Sequence, residues 1–168
     1  MTTSTYLTGN WILDRTNSDK PTPHLESLGL SDLARSAAER LDFSMQITHS
    51  DREISITQNS ILGVKERRLQ FGVEHFESGR DKTPVRMMAN LVSSHPVAVS
   101  ISIEWEGRST INETKRLDVD QSGAEIIIQD ISMTMKGSKV STNTTRLWRR
   151  APEGTEVGFD IGALAALE

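Results

Sequence analysis

Arg146 and Trp148 are the residues of this chain best suited to chemistry, two apart in the stretch VSTNTTRLWRR at residues 140–150. In an extended strand successive side chains alternate faces, so Val140, Thr142, Thr144, Arg146 and Trp148 share one side. A cation beside an indole on that face suits an oxyanion held in apolar surroundings, because a guanidinium grips a carboxylate through two parallel hydrogen bonds. The same pattern would also make the basic end of an edge strand in water, since arginine is rarely buried unpaired. Other candidates are thin. His24, His49, His75 and His95 are scattered, and none pairs at the four-residue helical spacing of a zinc site. No GxSxG elbow, phosphate-cradling loop or dinucleotide fingerprint occurs. With no cysteine there is no thiol nucleophile and no disulfide. No cofactor and no metal are expected.

The elements that must position Arg146 follow from hydrophobic periodicity. The 168 residues fit one domain with a sizeable core, and a net charge of −4 gives no field for nucleic acid. The first residues lack the basic and apolar regions of a secretory leader, and no apolar run approaches a membrane span, so a cytoplasmic protein without stable membrane insertion is expected. Asn112 and Asn143 head glycosylation patterns, but both fall in expected strands and read as chance.

Residues 6–13 read as a first strand, with Gly9 marking a bulge or close approach and Trp11 closing one end. Residues 21–41 form the helical region, in which Leu30, Leu33, Ala34, Ala37 and Leu41 make one stripe behind the N-cap Ser31. After Leu41 the period falls to two. Strands are expected at 43–48 and 54–57 around a turn at 50–52, then at 65–71, 74–77, 83–92, 97–105, 108–119, 124–135 and 140–150. Turn signals every 8 to 12 residues suit an all-β sandwich or barrel of about ten strands. The tail at 151–168 loses the alternation and is expected to be disordered or docked on the barrel.

In this order, the motifs resemble those of the intracellular fatty-acid-binding proteins of the calycin superfamily. The likeness runs through Gly9-Asn10-Trp11, Leu28-Gly29, the hairpin MQITHSDREISI, Gly72, Trp105-Glu106-Gly107, Met135-Lys136-Gly137 and Thr145-Arg146-Leu147-Trp148. The resemblance implies a ten-stranded antiparallel up-and-down barrel over residues 1–150, with a helix-turn-helix lid and a cavity for a fatty acid or similar lipid. It also implies a carboxylate held by an arginine on the last strand, where Arg146 stands, with Trp148 at the position of a family tyrosine. An indole supplies one donor and lacks the phenol's acceptor. A second family arginine matches Arg116 best, although Lys115 beside it competes for the inward place.

Alternation independently places Met45, Ile47, Ile56, Gln58, Leu62, Val85, Met87, Ile103, Ile131 and Met133 on inner faces, and Glu104 on an outer one. Methionines in such a lining adapt to an irregular ligand. Three functions compete. The first is an intracellular binder of a hydrophobic acid, monomeric or weakly dimeric, anchored by Arg146. The second is an enzyme of cyclase, isomerase or pericyclase type acting on a natural-product intermediate in the cavity by positioning and polarisation. For the third, a protein-interaction module, no residue pattern speaks.

Overall fold

The computed structural model describes residues 6–20, 44–60, 63–78 and 82–152. The helical region at 21–41, the residue Leu62 and nearly all of the tail lie outside them.

Among the described residues the alternating segments form ten strands: β1 Gly9–Asp14, β2 Ser44–His49, β3 Glu53–Ser60, β4 Gly63–Gln70, β5 His75–Ser78, β6 Pro84–Ser94, β7 Val97–Trp105, β8 Ser109–Val119, β9 Glu125–Met135 and β10 Ser141–Arg150. They build one antiparallel sheet in the order β4-β3-β2-β1-β10-β9-β8-β7-β6-β5. Every pairing but β1–β10 joins chain neighbours, as tight turns favour. The sheet curls until its two end strands nearly meet. There Gly72 donates to the Ala89 carbonyl at 2.8 Å, and Lys65 Nζ lies 3.0 Å from Glu77 Oε1. The expected sandwich-or-barrel choice resolves to a nearly closed up-and-down barrel.

Turn chemistry sets the register. Between β8 and β9, Asp120 Oδ1 accepts from the backbone N–H groups of Ser122 at 2.8 Å and Ala124 at 3.0 Å, while Gly123 takes a φ of 85° that a side chain disfavours. A bulge between Leu91 and Ser93 bends β6.

One end of the barrel is solid. Leu7, Trp11, Val97, Leu117, Ile127 and Trp148 fill it, each 2% exposed or less. The Trp11 indole N–H donates to the Leu7 carbonyl at 3.0 Å, and the Arg150 guanidinium covers its ring at 4.4 Å. Gly9 is the expected close approach: a Cβ there would collide with Arg150 Nη1. Toward the other end the inner face opens, and Gln58, Ile111, Ile131 and Thr142 remain half-buried.

Candidate functional site

Three long strands supply one cluster of interior polar side chains, and their register sets them in rungs. Lys115 of β8 pairs with Gln129 of β9, and Gln129 pairs with Arg146 of β10. One rung further toward the open end, Glu113 faces Ile131 and Ile131 faces Thr144. Beyond that, Ile111, Met133 and Thr142 restore an apolar lining. The Lys115 rung rests directly on the packed layer of Leu117, Ile127 and Trp148. It is a polar floor over a solid base.

A directed hydrogen-bond chain holds this floor. Trp148 Nε1 donates to Gln129 Oε1 at 2.9 Å, and Gln129 Nε2 donates to Glu113 Oε2 at 2.8 Å. Lys115 Nζ donates to Glu113 Oε1 at 2.5 Å. An indole only donates and a carboxylate only accepts, so the amide of Gln129 has a single possible orientation between them. Burial pushes the Glu113 carboxyl up, but the charge of Lys115, the bonds from Lys115 and Gln129 and the field of Arg67 outweigh it, and the net shift is downward. For Arg146, burial lowers the guanidinium's pKa and the Glu113 charge opposes that.

Sequence reading and structure meet residue by residue. Met45, Ile56, Val85, Met87, Ile103 and Met133 are buried on inner faces, and half-buried Gln58 pairs with Met45 across β2 and β3. Arg146 shares the inner face of β10 with Thr144 and Trp148. Trp148 itself is fully enclosed beneath the floor, with its N–H committed to Gln129. Arg116 requires a correction: it is exposed and binds Asp118 Oδ2 at 3.0 Å, whereas Lys115 is 1% exposed. Pleating forces this, because inward Leu117 and Ile111 fix the phase of β8, and Lys115 is in that phase. Glu104 is outward as expected and pairs with Arg86. His49 is structural: its Nδ1 accepts from the Leu7 N–H at 3.1 Å, and its ring meets Tyr6 and Phe71 edge-on. Sequence reasoning missed Glu113 and Gln129, although Ile111 and Leu117 flank the first in phase and Ile127 and Ile131 flank the second; it put Thr144 on the face of Arg146 but gave it no role.

No family model matches the sequence, and no curated protein does. Solved structures match over nearly the whole barrel. Human cRBP IV superposes with a TM-score of 0.63 at 19% identity, covering 86% of this chain and 98% of that one. A Schistosoma mansoni fatty acid binding protein in complex with arachidonic acid gives 0.62 at 16% identity, over 86% and 95% of the two chains. A mutant of the REP1-NXSQ fatty acid transporter gives 0.56 at 16% identity, over 86% and 98%. This is the fatty-acid-binding-protein fold. The barrel of these solved structures is thus built here from a sequence no more than 19% identical to theirs. Among the described residues, no helix is long and apolar enough to cross a membrane, and no three His, Asp or Glu side chains converge as metal ligands.

Proposed function

We propose that this protein is an intracellular carrier that binds one hydrophobic acid, of the fatty-acid class, inside the barrel with its carboxylate at Arg146. The observation that carries this reading is the polar floor. Arg146 and Lys115 lie in one rung, at the boundary between a solid apolar base and a half-open apolar interior. Such a place receives an anion at one end of a long apolar body. A guanidinium that is partly desolvated binds a carboxylate more strongly than one in water. Gln129, locked by Trp148, keeps the Glu113 carboxylate on Lys115, so the two charges nearest the ligand are positioned before it arrives. The open half, lined by Met87, Ile103, Ile111, Ile131 and Met133, accepts the chain. The fold's likeness to fatty-acid-binding proteins supports the same class of ligand.

Titration with saturated fatty acids of rising length tests this reading. Affinity should strengthen by about 0.8 kcal/mol for each added methylene until the barrel is filled. A flat response, with turnover of one specialised scaffold, would make the protein a cavity enzyme instead.

A further inference from the structure

Thr144 is 2% exposed, and its Oγ1 is a buried hydroxyl with no hydrogen-bond partner. It stands on the inner face of β10, two residues from Arg146 and about 7 Å along the strand, on the side toward the open half. Across Ile131, the same rung carries Glu113, whose carboxylate oxygens each accept one bond and keep a lone pair to spare. A ligand whose carboxylate rests at Arg146 can leave in only one direction, because Trp148, Ile127 and Leu117 close the other. Its chain therefore runs past the rung of Thr144, Ile131 and Glu113.

We propose that this rung is a second polar subsite, and that the preferred ligand is a fatty acid with a hydroxyl near its carboxylate end, a class probed by 3-hydroxydodecanoate and selected by Thr144. This rests on the carrier reading above and names its ligand more narrowly. The ligand hydroxyl donates to the Glu113 carboxylate and accepts the Thr144 O–H, which gives both groups the bonds the protein alone leaves unmade. An unsubstituted chain passing the same rung covers the Thr144 hydroxyl with methylenes and leaves it unsatisfied, which is costly in a buried place.

The test compares dodecanoate, 3-hydroxydodecanoate and 12-hydroxydodecanoate by titration calorimetry on the full chain and on Thr144→Val, a change of nearly equal volume. The wild type should bind the 3-hydroxy acid about tenfold more tightly than dodecanoate, with no such gain for the 12-hydroxy acid. Thr144→Val should lose that preference, binding dodecanoate more tightly and the 3-hydroxy acid more weakly than the wild type does. Equal affinities for the three acids in the wild type, or a preference that survives in Thr144→Val, would overturn the subsite and leave the carrier reading standing. Absence of binding by every acid would overturn both.

Discussion

Lys115 and Glu113 form an ion pair, 2.5 Å from Nζ to Oε1, between two residues on the same inner face of one strand. Only an extended backbone brings positions i and i+2 together in this way, and the barrel then encloses both. Their side chains are 2% and 15% exposed, so each charge relies on the other rather than on water. Removing one member strands a buried charge, while removing both charges does not. Lys115→Met should therefore lower stability by about 3 kcal/mol, and the double variant Lys115→Met, Glu113→Gln should regain more than half of that. Chemical denaturation of Lys115→Met, Glu113→Gln, the double variant and the wild type measures the coupling. Additive losses would mean that the pair contributes nothing as a pair.

His49 gives the barrel a pH dependence near neutrality. Burial lowers its pKa from the ordinary 6.5, against the weaker opposing pull of Asp51. The unfolded chain thus takes up the proton more readily than the folded one, so stability is full above about 6.5 and falls as the pH drops through the lowered value. Protonation would also place a donor where Nδ1 now accepts the Leu7 N–H. Melting curves between about pH 7.5 and about pH 5.5 should slope downward with acid, and His49→Gln should flatten that slope. Equal slopes for the two proteins would refute the assignment.

Gly9 is placed for Arg150 rather than for flexibility. Its φ of 147° disfavours a side chain, and a Cβ would displace the guanidinium that covers Trp11. Gly9→Ala should cost about 1 to 3 kcal/mol, read as a lowered melting temperature. An unchanged melting temperature would show that the strand and Arg150 adjust freely.

Most of the barrel was legible in the sequence because a period of two is a direct record of inside and outside. Met45, Ile47, Ile56, Val85, Met87, Ile103 and Met133 all lie where alternation puts them. The polar floor was harder to read, and for physical reasons. Lys115 and Arg116 are adjacent cations on opposite faces, and charge alone cannot assign the phase; only their apolar neighbours Ile111 and Leu117 can. Gln129 follows Ile126, Ile127 and Ile128, a run of three that erases the alternation just where it is needed. Glu113 shares the phase of Ile111 and Leu117, but what would hold a carboxylate inside shows only when the register puts Lys115 and Gln129 beside it. Trp148 was legible as inward, but its distance from the open space depends on how the end of the barrel is filled, which no local pattern records.

Displacement of a bound fluorescent fatty acid by oleate, in the wild type and in Arg146→Ala, tests the carrier reading most directly. The wild type should bind the probe and release it to oleate, and Arg146→Ala should weaken oleate at least tenfold while keeping its fold, the loss expected for a charge-assisted hydrogen bond. Oleate binding of equal strength in both proteins would contradict the anchor at Arg146, and no probe binding by the wild type would contradict the carrier itself.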